Sequence, residues 1–214
     1  MTRATSQKIR VFIADDHPIV REGLRRILND RSDIRVVGEA ANAEEIFDRL
    51  DVGDTHVLLL DISMPGPGFL ETMRQLRESD VKILVVSMYP EDQFGLRALK
   101  AGAAGYLTKD QSPDELVEAI RRVHSGRRYL SELLADRLAS EFADGDGEPH
   151  EELSEREFQV MQMLGEGMTI GEISDRLSLS PKTVSTYRTR ILRKLDLRTT
   201  ADIVRYAVEN ELVS

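Results

Sequence analysis

The chain has 214 residues, too many for one small core and enough for two modest domains. Its 38 acidic and 29 basic residues leave a net charge of -9, which argues against nonspecific nucleic-acid binding by the chain as a whole. It has no cysteine, which excludes disulfides, thiolate metal sites and cysteine nucleophiles, and no apolar run approaches the about 20 residues that span a bilayer.

Residues Met1 to Lys8 are short and polar, with no signal-peptide core, and a soluble cytoplasmic protein is expected. Val11-Phe12-Ile13-Ala14 then runs into Asp15-Asp16. Pro18 suits the first turn of a helix reaching about Leu28. Ile34 to Glu39 reads as a second strand and Ala43 to Leu50 as a helix. His56-Val57-Leu58-Leu59-Leu60 runs into Asp61, before a breaker-rich loop from Ser63 to Gly68 and a helix from Phe69 to Glu78. Ile83-Leu84-Val85-Val86 runs into Ser87, and a helix from Glu91 to Ala101 ends at Gly102. Gly105-Tyr106-Leu107-Thr108 runs into Lys109. Ser112-Pro113-Asp114-Glu115 is a capping box whose helix runs to His124 and stops at Gly126. Five alternating strand–helix units of this kind predict an α/β, five-stranded, parallel, doubly wound sheet over residues 1–126.

Residues 127–150 change character and read as a linker with a short helix, Leu130 to Phe142, and a flexible acidic stretch, Ala143 to Pro149. Residues 151–214 show four helices and no strand. A capping box at Ser154 to Glu157 opens the first, which ends near Gly165 or Gly167. The second spans Ile170 to Leu177, and Ser178-Leu179 is a tight turn. Ser180-Pro181 starts the third, which reaches about Leu195, and Thr199 caps the fourth, which reaches about Glu211. Two helices around a short turn, the second of them basic, form the helix-turn-helix pattern.

Asp15, Asp16, Asp61, Ser87 and Lys109 all follow apolar runs directly. In an open α/β sheet ligands gather at the carboxyl ends of the strands, near the reversal of strand order. Three acids, a hydroxyl and an amine are therefore expected in one crevice. Mg²⁺ prefers oxygen ligands, one or two carboxylates among them, so Asp15, Asp16 and Asp61 form a candidate metal set. Asp61 is the candidate nucleophile for a phosphoryl group, Lys109 would neutralise a phosphate oxygen, and Ser87 would hydrogen-bond another. His17 lies beside the acids but lacks His or Cys partners, and reads as a loop residue.

Residues 9 to 125 resemble the receiver domain of bacterial two-component response regulators. The resemblance rests on Asp15-Asp16, Asp61-Ile62-Ser63-Met64-Pro65, Ser87, Ala101-Gly102-Ala103, Tyr106 and Thr108-Lys109. It implies a flavodoxin-like receiver in which Asp61 accepts the phosphoryl group from a sensor histidine kinase. It also implies that Tyr106 turns inward as Ser87 engages that group. A related enzyme class, the aspartyl-phosphate phosphatases, needs a second acid two residues after the nucleophile. Ser63 stands there, which argues against an enzyme.

The charge is uneven along the chain. Glu141 to Glu155 holds seven acids and no Lys or Arg, whereas Pro181 to Arg198 holds six bases against Asp196 alone. On the helix from Pro181, Val184, Tyr187, Ile191 and Leu195 form a core stripe. Lys182, Ser185, Thr186, Thr189 and Arg193 face the other way, flanked by Arg188, Arg190 and Lys194. Hydroxyls among bases suit a major groove, with Ser and Thr meeting base edges and Lys and Arg meeting phosphates. Residues 153 to 210 resemble the C-terminal domain of the LuxR/NarL/FixJ-type regulators. That resemblance rests on Leu153-Ser154-Glu155-Arg156-Glu157, Gly167, Glu172-Ile173, Leu177-Ser178-Leu179-Ser180, Lys182-Thr183-Val184, Ile191 and Lys194-Leu195. The two resemblances together imply a DNA-binding transcription regulator, a homodimer when phosphorylated or DNA-bound, with Lys182, Thr183, Ser185, Thr186, Arg188, Thr189, Arg190, Arg193 and Lys194 as DNA contacts. A module that only docks proteins is the alternative reading.

Overall fold

Each apolar run of the N-terminal half forms a strand: β1 (Ile9–Ala14), β2 (Ile34–Ala40), β3 (Val57–Leu60), β4 (Lys82–Ser87) and β5 (Gly105–Thr108). The computed structural model describes residues 8–144, 149–210 and 212–213. Part of the polar N-terminus, residues 145–148 of the expected acidic linker, and the expected end of the last helix at 211 lie outside the described residues. The strands pair in parallel in the order β2-β1-β3-β4-β5. Parallel neighbours need long crossovers, and the helices α1 (Pro18–Asn29), α2 (Ala43–Arg49), α3 (Phe69–Leu76), α4 (Glu91–Lys100) and α5 (Pro113–His124) supply them. The order reverses between β1 and β3, so their carboxyl ends border a crevice.

Both faces of the sheet are buried, which is why the runs are apolar throughout instead of alternating. Ile9, Val11, Ile13, Val57, Leu59, Leu84, Val86 and Leu107 pack with Leu24 and Leu28 of α1 and with Leu116, Ile120 and Val123 of α5. Phe12, Leu58, Leu60, Ile83, Val85 and Tyr106 point to the opposite face and are buried as well. A bulge interrupts the β1–β2 register: Val11 pairs with Val36 but Phe12 pairs with Gly38. Gly38 makes room there, since a Cβ on it would lie 2.5 Å from the Phe12 ring. α3 stops at Leu76, two residues short of the expected end, because Ser79 takes the Leu76 carbonyl with both its amide and its hydroxyl.

The connecting helix, α6 (Glu132–Asp144), differs from expectation in its role. The sequence places it in a spacer over 127–150, yet it belongs to the first of two compact units, Met1–Asp144 and Gly145–Ser214. Tyr129 bridges to Gly105 at the sheet edge, and α6 packs on α4. Leu134 is buried over Gly95, where a Cβ would sit 2.9 Å from its methyl carbon. Burying that leucine is what ties the helix down.

The second unit has a 3-10 turn (Pro149–Glu152) and four helices, α7 (Glu155–Gly165), α8 (Ile170–Leu177), α9 (Pro181–Lys194) and α10 (Thr200–Glu209). α7 packs on α9 and α10, and α8 packs on α9. Phe158, Met161, Leu164, Ile173, Val184, Ile191, Ile203 and Ala207 are its buried centre. Capping boxes Ser154/Glu157, Thr169/Glu172 and Thr199/Asp202 begin α7, α8 and α10. α9 begins at Ser180, whose side chain accepts from the Thr183 amide, with Pro181 behind it. Ser178 closes α8 in the left-handed region at φ 54, and the Leu179 amide reaches back to the Ser174 carbonyl.

Gly105 tests the sheet edge. A Cβ there would lie 2.7 Å from the Tyr129 carbonyl oxygen and 3.0 Å from Leu84, and backbone cannot yield cheaply. Gly105→Ala is expected to lower stability by about 1–3 kcal/mol in urea unfolding of the full chain.

Candidate functional site

The sheet brings the five expected side chains to one end. Asp15 follows β1, Asp61 follows β3, Ser87 ends β4 and Lys109 follows β5. Backbone pairing continues past the strands: the Asp15 amide donates to Ala40, Asp61 to Ala14 and Lys109 to Ser87. These residues are thus held by the sheet and not by free loops. Asp15 is 2 % exposed and Asp61 3 % exposed, so both carboxylates are out of water.

One ammonium compensates them. Lys109 Nζ lies 2.6 Å from Asp15 Oδ2 and 2.6 Å from Asp61 Oδ2. The Asp61 carboxyl is pushed above its usual range by burial, with Lys109 pulling it back and Asp15 adding to the rise. Burial alone would lower Lys109, but Asp61 and Asp15 outweigh it and hold its pKa up. The other Asp61 oxygen, Oδ1, accepts from Ser63 through both amide and hydroxyl at 3.3 Å. Sequence reasoning placed Ser63 in the motif and loop after Asp61 but gave it no role as a donor to that carboxylate.

Asp16 and His17 complete the group. One ligand atom from each of Asp15, Asp16, His17 and Asp61 falls within 4.8 Å of the others. His17 stands at the N-cap of α1 with its Nδ1 2.7 Å from Asp16 Oδ1. That pair is close but lacks hydrogen-bond alignment, and the buried Asp16 oxygen has no hydrogen-bond partner. Three carboxylates against one ammonium leave two negative charges in excess. Oxygen donors, that surplus and an unsatisfied carboxylate oxygen fit a hard divalent cation.

Ser87 ends β4, the strand next to β3, and Tyr106 lies on β5. Ser87 is fully buried, and its Oγ accepts from the Tyr89 amide at 3.2 Å. Tyr106 is 1 % exposed and turned inward, its hydroxyl donating to the Tyr89 carbonyl at 2.9 Å. Both side chains thus meet the same β4–α4 loop. Tyr89 in turn packs on Phe94 of α4, ring centres 4.7 Å apart.

On α9 the core stripe lies as expected: Val184, Ile191 and Leu195 are buried and Tyr187 half-buried. Lys182, Thr186, Thr189, Arg190 and Arg193 are exposed, and Thr183, Ser185, Arg188 and Lys194 are half-buried. The Thr186 hydroxyl donates to the Lys182 carbonyl and that of Thr189 to the Ser185 carbonyl. Thr183 joins the Ser180 cap. Arg188 Nε donates to Thr200 of α10 at 2.7 Å. Lys194 is turned into its own domain, 2.7 Å from Glu157 Oε2 and 2.9 Å from the Glu152 carbonyl.

Residues 11–121 match the response regulator receiver domain, and residues 151–207 match the bacterial regulatory proteins of the luxR family. The chain is 41% identical over 208 residues to the response regulator UvrY of Escherichia coli, covering 95% of each. It is 42% identical over 208 residues to the response regulator GacA of Pseudomonas protegens, covering 96% of this chain and 98% of that protein. The solved structure of RcsB from Salmonella enterica serovar Typhimurium, bound to a promoter in the presence of phosphomimetic BeF3-, is similar at a TM-score of 0.58. It shares 28% identity, over 94% of this chain and 98% of that one. Fold and site together define a receiver joined to a helix-turn-helix domain. The chain belongs to the NarL/FixJ family of two-component response regulators, with a LuxR-type DNA-binding domain.

The shared ammonium gives a direct test. Lys109→Met leaves two buried carboxylates uncompensated, and is expected to cost about 3–5 kcal/mol in urea unfolding at pH 7 with chelator present. The loss should shrink as pH falls, because Asp61, already raised, takes up its proton and the charge disappears.

Proposed function

We propose that Asp61 accepts a phosphoryl group from the phosphohistidine of a sensor histidine kinase, and that this controls sequence-specific DNA binding by α9 and hence transcription. The observation that carries the first half is the ammonium of Lys109 held at 2.6 Å from Asp61. An Asp61 oxygen attacks phosphorus, the P–O bond forms, the P–N bond breaks, and the imidazole leaves with the electron pair. Lys109 then stands where a phosphoryl oxygen gains charge, and Ser87 offers its hydroxyl to another. Asp15, Asp16 and Asp61 would hold Mg²⁺, which supplies charge neutralisation when bound. The added charge, about -1.5 to -2 by analogy with phosphorylated hydroxyls, draws on Ser87 and so on the Tyr89 loop that Tyr106 also holds.

For the second half, the exposed face of α9 supports the reading. Lys182, Arg190 and Arg193, all exposed, would meet phosphates, with Arg188 on the flank. Ser185, Thr183, Thr186 and Thr189 lie between them. Thr186 and Thr189 spend their hydroxyl protons on their own helix, so each offers base edges an acceptor and suits the exocyclic amino groups of adenine or cytosine. A single helix contacts few base pairs, so a homodimer on paired half-sites supplies the affinity. No helix among the described residues is long and apolar enough to cross a membrane, which fits a cytoplasmic regulator.

The test is selection of duplexes from a random pool at fixed salt, with and without acetyl phosphate and Mg²⁺. A two-fold site should emerge, bound about 5- to 150-fold more tightly with phosphodonor. Asp61→Asn should bind the same site with no gain. Specific binding indifferent to phosphodonor would refute the switch, and an unenriched pool would refute DNA reading. Lys182→Met should lower the slope of log K against log salt by about 0.9 per protomer bound, about 1.8 for the homodimer.

A further inference from the structure

The base at the end of α9 behaves unlike its neighbours. Nζ of Lys194 has three protons to donate. Two go inward, to Glu157 Oε2 at 2.7 Å and the Glu152 carbonyl at 2.9 Å. Glu157 is itself buried, its side chain 3 % exposed. The same Oε2 accepts the Ser154 amide at 2.7 Å and so closes the capping box of α7. The Glu157 carboxyl is held below its usual range: burial would raise it, but Lys194 and Ser154 outweigh burial. Swinging Lys194 out to a phosphate would strand a buried carboxylate, a heavier loss than one screened surface contact regains. Arg193, one residue earlier and about 100° around the helix, is exposed and makes no such inward tie among the described residues.

We infer that Lys194 is a positioning residue that locks the last turn of α9 onto the start of α7, and is not a contact to DNA. This rests on α9 reading DNA. The lock joins a second polar tie from the same helix to a neighbour, Arg188 to Thr200 of α10 at its middle. Between them they fix the rotation of α9 about its axis, and with it which side chains face the groove. Nonspecific binding follows the number of phosphates the basic side chains neutralise and does not need that rotation. Specific binding does.

The experiment measures affinity of the full chain for its selected duplex and for a random duplex, across a salt series, far below the melting temperature. Glu157→Gln keeps an acceptor for the capping box but removes the charge that holds Lys194. Glu157→Gln and Lys194→Met should each weaken the selected duplex by about 10-fold or more, the scale of one mismatched base pair. Random-duplex affinity and salt slope should stay at the wild-type values, and Lys194→Arg should restore most of the loss. Glu157→Gln tightening DNA binding would overturn the inference, because a contact lysine set free gains. So would Lys194→Met weakening both duplexes with the slope reduced by about 0.9 per protomer bound. A lowered melting temperature with unchanged affinities in both variants would overturn it too, leaving a purely structural tie. A wild type that prefers no duplex would instead remove the DNA-reading role beneath it.

Discussion

The ammonium of Lys109, shared between Asp15 and Asp61, is the contact on which the first unit's crevice depends. Two carboxylates within 4.8 Å of each other repel by roughly 3–4 kcal/mol at an effective dielectric of about 20. No single loop could hold them there. The three groups follow strands β1, β3 and β5, and the order β2-β1-β3-β4-β5 sets β1 beside β3 with β5 two places on. The buried apolar runs therefore serve the chemistry directly: they oppose the charge repulsion at their ends with packing along their lengths.

The second unit solves a different problem. It holds a cationic helix in place with few apolar contacts on that helix, since only Val184, Ile191 and Leu195 of the α9 segment are buried. Polar ties make up the difference, and each begins or ends at a helix terminus. Glu157 has two duties, capping α7 and anchoring α9, so the first helix of the domain sets the attitude of the third.

Much of this was legible in the sequence. The strand ends that place Asp15, Asp61, Ser87 and Lys109 follow from apolar runs that stop at polar residues. The helix starts at Pro113, Glu155 and Pro181 follow from capping patterns that act within four residues. Contacts between distant elements were not legible. The role of α6 depends on Leu134 finding the vacant side of Gly95, 39 positions earlier in the chain, and no local pattern marks that meeting. Lys194 reads as one more base on a basic face until Glu157, 37 positions away, is seen beneath it. Ser63 and His17 enter the acidic cluster by the geometry of turns, and adjacency in sequence was the only available signal.

The glycines at 38, 95 and 105 have a consequence for how this chain tolerates variation. None has positive φ, and none lies at a turn. Each is a socket: the Phe12 ring, the Leu134 methyls and the Tyr129 backbone occupy the volume its side chain would need. Helix propensity favours alanine over glycine at an interior position such as 95, by about 1 kcal/mol. Among descendants of this gene, these positions should resist even that smallest step, and change only together with the residue that fills them.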